Sequence, residues 1–496
     1  MVGIFAAIGL IQAVAILVGI LRAKAIAVLL GPEGVGIISV IDQIVQLASY
    51  ASALSLPYAA VRFLSRAHSE SKARFQRTYA AFLKALLLLS LGATAILIAL
   101  VALRPTVLGA DVARYQMYVL IATLSLPSMM LGGFISNVFA SAGQPRSASV
   151  FAVLTAIGAA FAAVAGIYAG GISGFYWAGM IVGTAVTAAA LLYLKSRLGL
   201  SVTVPRAGLR QTLRRNPGIL SFSLMFFVTS VAFSFSFLVA RYAVLHHFGE
   251  AEAGLLHALL AIGFAVSMVL NPINGLLLTP KMNRAIAHDE KRRTALEFQK
   301  ILMLVLAGAA VPLVLFPQFF LTLLFSAEFT SVSGDLYLFV LAQCLLQLGG
   351  VYCALLIGLD DIKMFAVVSL LSHLAFATLA WQVTPLLGIY GVGLAFCASA
   401  VLLVVLSYWR LSTRHRFHIS GRAAWLTGYA IAIILGAGLL ANALGPDRPL
   451  EIVIKMAAYG AALAGLLLLL GESDRDGLLA WARRALRRGR PVPPTP

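Results

Sequence analysis

Acidic residues are scarce in this chain, and many kinds of chemistry are excluded with them. Eighteen Asp and Glu stand against 37 Lys and Arg, and charged residues of both signs make up 11% of 496 positions. A mean hydropathy of +0.96 leaves too little polar surface for a soluble protein. Cysteine is nearly absent. Cys344, Cys353 and Cys397 all fall inside apolar runs, where a free thiol behaves as a small apolar group, and no metal-ligand spacing or disulfide framework is visible. The sequence also lacks a G-x-x-x-x-G-K-[S/T] loop and any arrangement of a catalytic triad. No cofactor and no enzymatic step are therefore expected. An ion gradient (H⁺ or Na⁺), the membrane potential or a substrate gradient is left as the source of energy.

What the chain does have is long apolar runs. A hydrocarbon core of about 30 Å asks for about 20 apolar residues per helix, and such runs recur along the whole length. They predict an all-α polytopic membrane protein with fourteen spans at roughly 3–30, 37–62, 79–103, 114–139, 147–168, 173–195, 218–246, 254–280, 296–317, 334–358, 363–384, 389–410, 422–443 and 451–471. The N-terminus has no basic region before its apolar run, so the first span reads as a retained helix rather than a cleaved signal. Basic residues collect in the even-numbered connections and the tail, which hold 29 of the 37 cations. That bias predicts both termini in the cytosol and accounts for the net charge of +19 without nucleic acid as a partner.

The chain is duplicated. With an offset of 218, Gly31 and Gly36 of the turn Gly31-Pro32-Glu33-Gly34-Val35-Gly36 fall on Gly249 and Gly254, Arg66 falls on Arg284, and Arg74 on Arg292. With an offset of 217, Gly171-Ile-Ser-Gly174 falls on Gly388-Ile-Tyr-Gly391 and Arg146 on Lys363. The organisation expected is an N-lobe at 1–195, a basic cytosolic linker at 196–217, a pseudo-symmetric C-lobe at 218–415, spans 13 and 14 at 416–472, and a cytosolic amphipathic tail at 473–496. Arg-rich on one side, that tail suits an anionic inner leaflet, and a solvated end obeying the positive-inside bias explains it equally.

Both copies carry a cation within their first span. Arg22 and Lys24 lie in span 1, and Arg241 falls between them in the repeat. Arg22 is roughly 12 Å of helix rise before the Gly31-Pro32 break. From that depth a long side chain either snorkels to the head groups or faces a central cleft. A cation in a cleft suits an anionic substrate such as a phosphate or pyrophosphate. Arg62, at the end of span 2, either guards the cytosolic mouth or anchors the helix. Asp42 within span 2 is costly unless paired or protonated; it is a candidate partner for a cation or a site for a coupling H⁺ or Na⁺. Gln43, Gln46, Gln343 and Gln347 suit sugar hydroxyls or bonds between helices. His257 and His373 suit buried hydrogen bonds more than proton shuttling.

Leu30-Gly31-Pro32-Glu33-Gly34-Val35-Gly36 after a charged first span resembles the Wzx polysaccharide flippases, of the MOP exporter superfamily that also holds the MurJ lipid II flippases and the MATE exporters. Phe325-Ser-Ala-Glu-Phe329 and Phe248-Gly-Glu-Ala-Glu-Ala-Gly254 resemble further turns of that family, and the likeness runs from residue 1 to about 415. It implies a flippase for undecaprenyl-pyrophosphate-linked oligosaccharide repeat units in a bacterial inner membrane. The pathway would be that of O-antigen, enterobacterial common antigen or exopolysaccharide. Lys24 and Arg241 match the family's cavity cations best, with Arg22 and Arg62 next. Membrane lipids, a polysaccharide polymerase and a chain-length regulator are the partners it implies. Spans 13 and 14 resemble the fourteen-helix arrangement of MurJ, which keeps a lipid II flippase open. A MATE-type drug exporter calls for acids in the cavity. A membrane polymerase or ligase calls for a large extracytoplasmic loop, and the longest here, 318–333, has about 16 residues.

Overall fold

The structure, a computed structural model of the chain, describes residues 2–201, 214, 218–273, 287–445 and 449–469. Most of the basic linker, all of the tail from 473 to 496, and the end of the eighth predicted span lie outside the described residues. Among the described residues every regular element is helical, as a chain buried in hydrocarbon requires when no water is present to satisfy its backbone. Eleven helical stretches among the described residues are long and apolar enough to cross a membrane. Three of them are broken within, at Gly31, at Gly170–Gly171 and at Gly388, so they supply six spans and the described residues hold fourteen. The protein is an all-α polytopic membrane protein.

The breaks are narrower than the sequence suggested. Gly31 alone leaves the helical region, at φ 63° and ψ −175°. The next helix starts at Pro32 rather than at 37, because Pro loses nothing at the first helical position, where its missing N–H has no partner to give up. That helix stops at Ala53, where Leu54 and Ser55 take positive φ, and the chain resumes helically over Leu56–Glu70 with Pro57 in its first turn. The predicted 114–139 span is likewise two pieces, Gln116–Thr123 and Leu126–Ser141. In the second copy the helix begins at Glu250, four residues earlier than expected, directly after Gly249. The predicted loop 318–333 is folded as the helix Pro317–Leu324 and most of the 3₁₀ turn Ala327–Asp335.

The duplication extends to backbone angles. Gly31 and Gly249, paired by the repeat, both have positive φ, at 63° and 88°. Gly171 at φ 58°, ψ −137° is matched by Gly388 at φ 59°, ψ −141°. Glycine is needed at such positions because a Cβ makes this region costly. After the Gly170–Gly171 turn the two helices 145–169 and 172–198 run back along each other. A methyl on Gly166 or Gly174 would strike the other's backbone carbonyl.

The chain divides into two compact units. One comprises Met1–Ala261, Phe319–Ser333 and Asp361–Leu403. Its core includes Tyr79, Phe82 and Phe134, with Phe237, Phe376 and Phe396 in mutual ring contact. The other comprises Ile262–Gln318, Gly334–Asp360 and Val404–Pro496. Here Gly421–Leu444 packs along His288–Leu315, burying Leu426, Ala430 and Ile434. Buried Gln299 joins the two through its amide to Thr427 Oγ1 at 3.0 Å while accepting from Tyr352 at 3.2 Å.

Candidate functional site

The first unit holds a cavity of about 630 Å³, walled by helices 2–30, 32–53, 145–169 and 172–198 and by Leu126–Ser141. Its charged lining residues are Arg22 and Asp42, and its hydroxyls come from Ser125, Ser128, Thr155 and Tyr176 among others. A second cavity of about 180 Å³ is lined by Arg22, Asp42, Phe175, His257 and Phe325. Arg22, Asp42 and Phe175 border both, so they form the partition between the two spaces.

Each member of the partition is held from a different side. The Arg22 guanidinium lies over the Phe175 ring, 5.6 Å from its centroid, and its buried Nε has no hydrogen-bond partner among the described residues. A guanidinium stacked on a ring keeps its edge donors free for an incoming acceptor. Asp42 accepts from Tyr176 Oη at 3.2 Å, and the same hydroxyl lies 3.4 Å from the Ile38 carbonyl oxygen. The Asp42 side chain is open to the cavity although its neighbours Ile41 and Gln43 are buried. Among the described residues no ion pair joins Asp42 to Arg22. Both keep capacity for a ligand.

The other expected cations are placed elsewhere. Arg241 is 7% exposed and donates from Nη1 to Gln43 Oε1 at 2.7 Å. Gln43 in turn donates to the carbonyl and hydroxyl of Ser234, at 3.0 and 2.8 Å, which ties helix 32–53 to Gly218–Phe248. Lys24 donates to the carbonyl oxygens of Thr322 and Leu323, at 3.1 and 3.0 Å, at the end of Pro317–Leu324. There it satisfies carbonyls that a helix end leaves open and meets the negative end of the helix dipole. Lys24 and Arg241 line neither cavity. Arg62 falls on Leu56–Glu70, and its side chain lies outside the described residues. Gln343 and Gln347 both donate to Ser267 Oγ, and Gln46 to Tyr50, so these amides serve contacts within the fold. His257 and His373 sit edge-on to Phe325 and Phe233.

Phe175 and Tyr176 were not singled out in the sequence, where aromatic residues in an apolar span read as core or lipid contact. The repeat shows only that the two copies do not share them. Their counterparts in the second copy are Val392 and Gly393, while those of Arg22 and Asp42 are Ala240 and Leu260. Arg22, Asp42, Phe175 and Tyr176 come from the first copy, and the second copy lacks their equivalents.

A second polar cluster gathers beside the Gly249 turn. Tyr115 donates to Glu250 and Arg114 pairs with the same carboxylate at 3.2 Å. His246 Nδ1 donates to Asp111 Oδ2 at 2.6 Å, and Tyr242 donates to it at 3.4 Å. The hydrogen bond from His246 holds the Asp111 carboxyl below the ordinary carboxylate range, partial burial opposing it and Tyr242 and Arg114 adding to it. This cluster links the Asp111–Tyr115 segment to both sides of Gly249.

No protein-family model matches the chain, and no curated protein sequence matches it. Solved structures do. An inward-facing multidrug resistance MATE family transporter of the MOP superfamily superposes with a TM-score of 0.67 at 14% identity, covering 82% of this chain and 95% of that one. The lipid II flippase MurJ in an inward closed conformation gives 0.65 at 12% identity, covering 94% and 98%. A MOP superfamily transporter from Pyrococcus furiosus, described as having a binding pocket of reverse polarity, gives 0.61 at 15% identity over 81% and 94%. The chain has the fold that these transporters and the flippase share. Its match to MurJ extends over nearly the whole chain, and the MATE matches stop at about four-fifths.

Proposed function

We propose that the protein is a flippase for undecaprenyl-pyrophosphate-linked oligosaccharide repeat units, working by alternating access in a bacterial inner membrane with both termini in the cytosol. The observation that carries this reading is Arg22, a guanidinium bordering both cavities with a buried nitrogen unpartnered. A pyrophosphate leaving water needs donors to replace its lost hydration, and a guanidinium supplies them bidentately. The hydroxyls of Ser125, Ser128 and Thr155 suit sugar groups following the head group inward. Lobes at 1–195 and 218–415 would rock about the site, while the polyprenyl tail stays in lipid. No covalent bond need change.

The test is translocation in proteoliposomes of a fluorescent polyprenyl-pyrophosphate oligosaccharide, with the outer-leaflet probe bleached by a membrane-impermeant reductant. Wild type should expose the inner pool to bleaching. Arg22→Lys should retain part of the rate and Arg22→Ala should lose tenfold to hundredfold, the usual worth of a hydrogen bond to a charged group. An Arg22→Ala protein of wild-type rate sinks the reading.

Asp42 favours a second reading. Its carboxyl opens into the cavity and is paired to a tyrosine hydroxyl rather than to a cation, which suits a coupling H⁺ or Na⁺, or a cationic substrate as in a MATE-type exporter. Uptake of a fluorescent cationic drug into the same vesicles, driven by an imposed H⁺ or Na⁺ gradient and abolished by Asp42→Asn, would support the exporter instead.

A further inference from the structure

Arg146 has no role in the site just described, yet it heads a second concavity. A groove of about 560 Å³ runs between Leu126–Ser141 and helices 145–169 and 172–198, and it is lined by Phe139, Arg146, Val150, Leu154, Ala190 and Tyr193 among others. Its lining from helix 145–169 repeats at one-turn spacing: Arg146 and Ser147, then Val150 and Phe151, then Leu154. From Arg146 to Leu154 is about 12 Å of helix rise, close to the depth of one leaflet of a core about 30 Å thick. The groove is thus an apolar trough of leaflet length with one guanidinium at its head. No acid lines it.

Two features say what occupies it. Arg146 is exposed and stands just after the Ala142–Gln144 turn, where span 145–169 begins and a lipid phosphate would lie. Phe151 and Val186 line this groove and also the 630 Å³ cavity. A chain lying in the groove therefore holds its head group within reach of the space containing Arg22 and Asp42. The geometry points to a lateral docking site for the lipid carrier of the substrate, with its phosphate on Arg146 and its hydrocarbon chain along Val150, Leu154 and Tyr193. This assignment rests on the flippase reading and adds where the lipid waits before its sugars enter the cavity. The complementarity is of charge at one end and of apolar surface along the rest, as an anionic single-chain amphiphile presents.

The experiment uses the full chain in phosphatidylcholine nanodiscs and a long-chain polyprenyl phosphate carrying a photoactivatable group in its chain. Crosslinks should map to peptides containing Val150, Leu154 or Tyr193. Arg146→Gln should lower their yield tenfold or more, and Arg146→Lys should restore part of it. Val150→Trp, which fills the trough from its open side, should lower the yield with Arg146 intact. Excess unlabelled polyprenyl phosphate should compete, while phosphatidylglycerol should not. Equal competition by phosphatidylglycerol would make the groove a seat for bulk lipid and overturn the proposal, as would a yield unchanged in Arg146→Gln. Crosslinks confined to peptides around Arg22 would remove the groove but leave the flippase reading standing. No specific crosslink anywhere in the chain would remove both.

Discussion

Gly36 and Gly254, equivalent positions in the two copies of the repeat, lie back to back. A methyl on Gly36 would strike the Glu250 carbonyl and come within 2.9 Å of the Gly254 nitrogen, and one on Gly254 would strike the Pro32 carbonyl and come within 3.0 Å of the Gly36 nitrogen. Each duplicated turn is thus packed against its own counterpart through backbone alone. Gly36→Ala or Gly254→Ala should cost about 1–3 kcal/mol as an overpacked contact, read as a lower melting temperature of the purified protein. Gly92→Ala is the control. Nothing lies within 4 Å of the added methyl, so within a helix it should be neutral or gain up to about 1 kcal/mol. Equal effects at Gly36 and Gly92 would contradict the close approach.

The cations of the first spans should separate by phenotype. Arg241→Ala leaves Gln43 Oε1 without its buried donor, at a cost of about 1–3 kcal/mol. Lys24→Ala uncovers the carbonyls of Thr322 and Leu323 at the end of Pro317–Leu324. Both should lower thermal stability and abundance. Arg22→Ala should leave stability near wild type and remove transport. Melting curves beside rates per folded molecule decide this; transport lost at unchanged stability in Arg241→Ala would place Arg241 in the substrate path.

Acid should loosen the cluster beside Gly249. The folded-state pKa of Asp111 is depressed, chiefly by its hydrogen bond from His246. Its contribution to stability is therefore present above the ordinary carboxylate pKa and is lost as pH falls through the depressed value. Between pH 7 and pH 3 the wild-type melting temperature should drop further than that of Asp111→Asn, which begins lower and changes less. Parallel curves would show that Asp111 contributes nothing to the loss.

Orientation is checked by cysteine labelling in intact cells. With both termini cytosolic, a cysteine at exposed Ser331 should react with a membrane-impermeant thiol reagent, and cysteines at Arg206 or exposed Arg293 should be protected until the cells are opened. The reverse pattern inverts the protein and exchanges the two sides of the cavity.

Much of the fold was legible because a membrane imposes simple rules. Fourteen apolar runs match the fourteen spans among the described residues, and the glycine pairs 31/249 and 171/388 marked the turns of both copies. Helix starts were misplaced where Pro32 and Glu250 begin a helix directly after one positive-φ glycine, since the run of six turn-forming residues read as a loop. Arg22 and Asp42 were visible as charges that an apolar span does not carry idly. The partner of Lys24 was not, because it is a pair of backbone carbonyls nearly 300 residues away that no side chain announces. Tyr176 was hidden for a different reason: its apolar ring fits a span as well as any aromatic, and only contact with Asp42 reveals the hydroxyl's use.

The contact between Gly166 and Gly174 has a mechanical consequence. With no side chain between them, helices 145–169 and 172–198 lie backbone to backbone as a single leaf, joined where Gly170 and Gly171 leave the helical region. One surface of that leaf bounds the groove headed by Arg146, and another bounds the cavity of Arg22 and Asp42. Any tilt that widens one space draws on the room of the other. The two compartments share that wall, at Phe151 and Val186, so a ligand that fills one is expected to press on the other with no relay of side chains between them.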